Sequence, residues 1–213
     1  MSTDTTGASE IDDLDLAPYE ERSEPSFRAY GIALVVLGAI GLAASFTLLV
    51  DKFKLLQNPD FTPSCDINPV LSCGSVMVKP QAGVFGFPNP MLGLIGFSVL
   101  ITMGVLYASG ARPRKWLLGG LVLGSLAGLT FVHWLFFQSL YRIGALCPWC
   151  MVVWAVTIAL GVWTILLSAR VQWPNNRTVA LLFDVRFLIV VLWYLGIGIA
   201  ILVRFWYYWK TVL

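Results

Sequence analysis

The chain has 213 residues, 58% of them hydrophobic and only 12% charged, with a formal net charge of +2. A soluble domain carries about 25% charged residues, so the long charge-free runs here exclude a water-soluble core. With so small a charge, and no basic patch interleaved with aromatics, nucleic acid is not an expected partner.

Residues 1–28 are polar and acidic, with Asp4, Glu10, Asp12, Asp13, Asp15, Glu20, Glu21 and Glu24. They predict a disordered, solvated tail. No basic stretch precedes a short apolar core, so a signal peptide is not expected. Ala29 to Val50 is long and apolar enough for a first membrane span. Residues 51–90 form a long connection with Pro59, Pro63, Pro69, Pro80, Pro88 and Pro90, and hold Cys65 and Cys73. Loops of this length are functional or disordered. Apolar residues such as Val76, Met77, Phe85 and Phe87 predict short helical pieces folded onto the membrane surface. Met91 to Ala108 is the second span, followed by a short turn with Arg112, Arg114 and Lys115. Trp116 to Leu140 is the third span, and its Gly120, Gly124 and Gly128 share one helix face. Small residues at that spacing predict the close approach of a neighbouring helix. Cys147-Pro148-Trp149-Cys150 then opens the fourth span, Met151 to Ser168. A polar loop over 169–186 leads to a fifth span, Phe187 to Tyr207, within a C-terminal segment 187–213. The expected fold is an all-α integral membrane protein: a four-helix transmembrane bundle over 29–168 and a fifth transmembrane helix.

Charge orients this arrangement. Arg112 to Lys115 and Arg170 to Arg186 follow spans two and four, and short connections dense in Arg and Lys stay in the cytoplasm. The N-terminus is then inside and the C-terminus outside. Both cysteine-bearing segments fall on the outer, oxidising face, where disulfides persist.

The CxxC stretch carries the chemistry. Two thiols two residues apart close into a disulfide and reopen, carrying two electrons. Cys147 falls near the N-cap of the fourth span and Pro148 in its first turn, where proline is tolerated. The positive end of the helix dipole faces the Cys147 sulfur. Four cysteines in two pairs on one face predict a relay, in which a disulfide passes from pair to pair by thiolate attack. Two static disulfides are the structural alternative. They suit Cys65 and Cys73 but fit CxxC poorly, because so short a loop adds little chain-entropy stabilisation. The Cys-x7-Cys spacing is loose for a four-cysteine zinc site, so no metal is expected. A small transporter would show paired, interrupted spans related as repeats, and none is visible. His133, the single histidine, sits mid-span, where an ionisable group is a candidate for proton supply; it reads as a satisfied packing residue.

The segment Cys65-Asp66-Ile67-Asn68-Pro69-Val70-Leu71-Ser72-Cys73, then Phe85-Gly86-Phe87-Pro88-Asn89-Pro90, then Cys147-Pro148-Trp149-Cys150, resembles the vitamin K epoxide reductase family, in particular its bacterial thiol-oxidising branch. The resemblance covers about Ala29 to Ser168, with the fifth span as an addition. It implies a thiol:quinone oxidoreductase of the bacterial inner (cytoplasmic) membrane that re-oxidises a DsbA-like thioredoxin-fold protein. The electron acceptor it implies is a membrane quinone, menaquinone first and ubiquinone second. By that resemblance Cys150 faces the quinone, Cys147 is its partner, Cys73 is the loop cysteine that reaches Cys147, and Cys65 exchanges with the soluble partner. Asn89 matches a family asparagine that hydrogen-bonds a quinone oxygen; from its surroundings alone it reads as a turn residue between two prolines. Two positions depart from the family pattern. Lys79 stands where bacterial relatives carry a hydroxyl residue. Trp154 stands where animal enzymes have a quinone-binding tyrosine, although an indole N–H can also donate. The alternatives are a quinone-epoxide reductase using the same residues and a non-enzymatic scaffold with structural disulfides.

Overall fold

The computed structural model describes residues 27–212; the acidic segment 1–26 lies outside them. Among the described residues, five helices are long and apolar enough to cross a membrane: α1 (Phe27–Gln57), α3 (Pro90–Ala108), α4 (Lys115–Gln138, continued by a turn over Ser139–Ile143), α5 (Pro148–Gln172) and α7 (Arg186–Arg204). Between them lie the short α2 (Cys73–Met77) and α6 (Arg177–Asp184), and α8 (Trp206–Val212) follows the last span. Among the described residues there is no strand, only a single parallel bridge between Leu71 and Leu146. The chain is thus an all-α, multi-pass membrane protein.

Several boundaries differ from the sequence reading. Helix α1 runs on to Gln57 rather than ending near Val50. Lys52 and Lys54 do not stop it, because lysine and leucine are good helix formers and the Asp51 side chain turns inward. The segment 169–186 is largely helical, as the end of α5 and as α6, whose N-cap Asn176 accepts from the Thr178 and Val179 N–H groups. The third span ends in a wide turn closed by Gly144, whose φ of 73° suits glycine.

Helix α1 buries Tyr30, Leu34, Gly38, Gly41, Ser45 and Leu48 on one side and packs along α3 and α5. Its closest approach is to α3. A Cβ on Gly31 would lie 2.7 Å from the Gly104 carbonyl oxygen, and one on Gly104 would lie 2.8 Å from that of Gly31. Only glycines let these two backbones touch. Tyr30 O–H donates to Thr164 Oγ1 at 2.7 Å, and that hydroxyl donates onward to Leu160 O, tying α1 to α5.

The glycines expected to admit a neighbouring helix do something else. A Cβ on Gly120 or Gly124 would meet nothing within 4 Å, and one on Gly128 only Thr157 at 3.5 Å. Helix α4 packs mainly on α5. The glycine face therefore opens onto a space between α1, α3, α4 and α5. Helix α7 lies against α5. Its Tyr194 O–H donates to Ala155 O at 2.6 Å, and its Trp193 indole N–H donates to His133 Nε2 at 2.9 Å. His133 Nδ1 in turn meets Leu129 O at 2.7 Å. Nδ1 then donates back within α4 and Nε2 accepts from α7, so both ring nitrogens have partners and one of them ties the two helices together.

Candidate redox site

The two cysteine pairs meet at one end of the bundle, and backbone groups bring them there. Asn68 Oδ1 accepts from the Val70 and Leu71 N–H groups at 3.0 and 2.8 Å, folding the loop back on itself. The loop then runs beside the turn that precedes α5. Leu146 N–H donates to Val70 O at 2.7 Å, and Ser72 N–H donates to Leu146 O at 2.9 Å. In this parallel register Cys73 directly follows Ser72 on one segment and Cys147 directly follows Leu146 on the other.

Cys65 and Cys73 form a disulfide with Cα atoms 5.7 Å apart, whereas Cys147 and Cys150 are free thiols. Cys147 Sγ lies 3.3 Å from Cys73 Sγ. Cys147 is also the N-cap of α5: its sulfur accepts from the Cys150 N–H at 3.3 Å, and Pro148 occupies the first turn. Helix α2 begins at Cys73 with Ser72 as N-cap, Ser72 Oγ accepting from Ser75 N–H at 3.1 Å. Asp66 Oδ1 accepts from Gly74 N–H at 2.9 Å, pinning the loop across the disulfide. Cys65, Asp66 and Cys73 bring ligand-type atoms within 4.8 Å of one another; here the two sulfurs are bonded together and the carboxylate caps the helix.

Water is largely kept out. Cys73 is 0% exposed, Cys147 1% and Cys65 6%, in an apolar cluster with Leu48 and Met77. Trp149 and Val76 pack against its edge. Lys52 Nζ donates to Met77 O at 2.7 Å, so the extra turns of α1 brace α2 directly.

Cys150 faces the other way, into a cavity of about 520 Å³ between the four helices. Pockets for organic ligands span about 300–1,000 Å³ and are mostly apolar with a few placed polar groups. Asn89, Trp154, Ser45, Gln81 and Ser139 are on this wall, as are the three α4 glycines. Asn89 Nδ2 donates to Gln81 O at 2.7 Å and its Oδ1 accepts from Val84 N–H at 3.2 Å. That leaves one of its two amide N–H groups uncommitted. The Trp154 ring is buried, edge-on to Phe136. Ser45 Oγ and Gln81 Oε1 are buried without a hydrogen-bond partner, and orphaned polar groups of this kind need an explanation.

The structure thus brings together all six residues singled out from the sequence: the four cysteines at one focus, and Asn89 and Trp154 on the cavity wall beside Cys150. Lys79 is exposed and does not line that wall. Ser45, Gln81 and Asp66 were not singled out. Ser45 carried a signal, as a hydroxyl within an apolar run; Asp66 and Gln81 carried none.

Two cysteine pairs in sulfur–sulfur contact at the end of a membrane bundle, beside an apolar cavity, fit a membrane disulfide oxidoreductase. The sequence model of the Vitamin K epoxide reductase family matches residues 32–165, more than half of the chain, and the chain belongs to that family. Its members use quinones as electron partners. No curated protein matches the chain.

Proposed function

We propose that this protein oxidises the dithiol of a DsbA-like thioredoxin-fold partner outside the cytoplasmic membrane and delivers the electrons to a membrane quinone. The observation that carries this reading is the placement of Cys147. Its sulfur touches the loop disulfide at 3.3 Å, while Cys150, one turn on, faces a cavity of quinone-compatible size.

The steps balance as thiol–disulfide exchanges. A partner thiolate attacks Cys65, the less enclosed sulfur of the loop disulfide, and Cys73 leaves. The second partner thiol closes the partner's own disulfide, so Cys65 and Cys73 now hold the two electrons and two protons have been released. The Cys73 thiolate attacks Cys147 of an oxidised Cys147–Cys150 pair, expelling Cys150. Cys65 then attacks Cys73 and releases Cys147. The loop pair is oxidised again and the CxxC pair reduced, which is the pairing observed. The Cys150 thiolate passes an electron pair to the quinone, the Cys147–Cys150 disulfide closes, and hydroquinone leaves with two protons. The free amide N–H of Asn89 and the Ser45 hydroxyl suit the quinone oxygens as donors, and Gln81 Oε1 suits a hydroquinone O–H. The cationic connections at the opposite end of the bundle, Arg112 to Lys115 and Arg170 to Arg186, support an orientation with the cysteines outside and the N-terminus in the cytoplasm.

A partner stripped of its second cysteine tests the entry point. Mixed with the oxidised enzyme, it is expected to form a mixed disulfide that peptide mapping assigns to Cys65. An adduct on Cys150, or none on any cysteine, would contradict the route.

A further inference from the structure

The fifth span lies beyond the matched segment 32–165, yet its end is built into the relay. The wide turn after α4 directs Gly144 N–H to Ser139 O at 2.9 Å. In an α-helical register that N–H would have served Leu140 O, one residue on. The Leu140 carbonyl is left to Arg204, whose Nε donates to it at 3.0 Å. Leu140 is fully buried, so without Arg204 the carbonyl would lose the partner that satisfies it.

The next residue, Phe205, is 0% exposed. Together with Ile201 it packs in one cluster with Val70 and Leu146, the two residues whose backbones clamp the loop to the CxxC turn. Cys150 and Met151 lie against the same cluster, and Tyr208 and Trp209 of α8 close it. The end of the fifth span therefore backs both segments of the bridge that sets Cys73 against Cys147.

We propose that Arg204 and Phe205 are positioning residues for the exchange between the two cysteine pairs. They act through Leu140 and through Val70 and Leu146, fixing the separation and approach of Cys147 and Cys73. This inference rests on the relay reading above, but its test uses neither quinone nor partner.

In a Cys65→Ser/Cys150→Ser background only Cys73 and Cys147 remain, and their disulfide can be equilibrated against reduced and oxidised glutathione in detergent. Alkylation and mass spectrometry then give the effective concentration of one thiol at the other. Effective concentration is the quantity that positioning controls, and misplacement by about 1 Å can cost on the order of 100-fold. Phe205→Ala and Arg204→Ala are each expected to lower it by about 10-fold or more, with partial recovery in Arg204→Lys. The Cys65–Cys73 equilibrium, measured in a Cys147→Ser/Cys150→Ser background, is expected to stay unchanged. An unaltered Cys73–Cys147 equilibrium in the Arg204→Ala and Phe205→Ala variants would overturn the proposal. So would an equal fall for the Cys65–Cys73 pair, because general loosening would then account for both. If Phe205→Ala does not fold, Phe205→Leu takes its place.

Discussion

With Cys65 replaced by Ser, a disulfide between Cys73 and Cys147 is expected to accumulate, and partner-driven turnover to fall by about 10³-fold or more, the scale of losing an essential nucleophile. Cys73 then has no partner within its own loop, and the sulfur 3.3 Å away is Cys147. Two backbone hydrogen bonds, 2.7 and 2.9 Å long, hold the two segments in that register, so the exchange needs little ordering of either strand. The thiol that would attack Cys73 and release Cys147 is gone. Proteolysis between the loop and α5, followed by non-reducing electrophoresis, would show the two fragments joined. The fragments should separate in Cys65→Ser/Cys147→Ala. A Cys65→Ser protein whose fragments run apart, or whose turnover with the protein partner is intact, would mean that Cys73 is not the sulfur that passes electrons inward.

The second large effect is expected in the cavity. Gly124→Leu should raise the KM for quinone about 10-fold or more, equivalent to about 1.4 kcal/mol of lost binding, while raising the melting temperature. The two signs come from one feature. A Cβ at residue 124 meets nothing within 4 Å, so a side chain can leave the backbone there without a clash. Glycine within a helix is less favourable than a good helix former by about 0.5–1 kcal/mol, and that deficit disappears. The new side chain projects into the space that Cys150 faces and competes with a ligand for it. Gly31→Leu provides the contrast, since there the Cβ alone would press on the α3 backbone and stability should fall. An unchanged KM in Gly124→Leu would place the quinone elsewhere.

The membrane class was legible because charge-free runs of about 20 residues have no stable alternative in water. The CxxC at the head of a span was legible for a local reason. A proline after the first cysteine marks the first helical turn, and Cys147 is indeed the N-cap of α5. The contact between Cys73 and Cys147 was not legible from composition or spacing. It is made by the backbone groups of Val70, Ser72 and Leu146, which leave no side-chain signature; only the family resemblance pointed to it. The α4 glycines show a different failure. Spacing shows that Gly120, Gly124 and Gly128 share a face, but the same face can receive a helix or a ligand, and the position of α3 decides. The helix contact that does need glycine uses Gly31 and Gly104, single residues on separate spans with no repeat to mark them. Arg204 was hidden among the charges that flank any span, although its Nε is committed to a buried carbonyl. His133 resolved as a packing residue only once Trp193, 60 positions away, was known to face it.

The most direct test of the central claim is quinone reduction by the purified protein in detergent, followed anaerobically by quinone absorbance with dithiothreitol as donor and the enzyme-free rate subtracted. The account predicts that the wild type consumes a naphthoquinone or a benzoquinone and that Cys150→Ala consumes neither. No reaction by the wild type with either quinone, or equal rates for wild type and Cys150→Ala, would contradict it. The cysteines would then stand as structural crosslinks of a membrane scaffold.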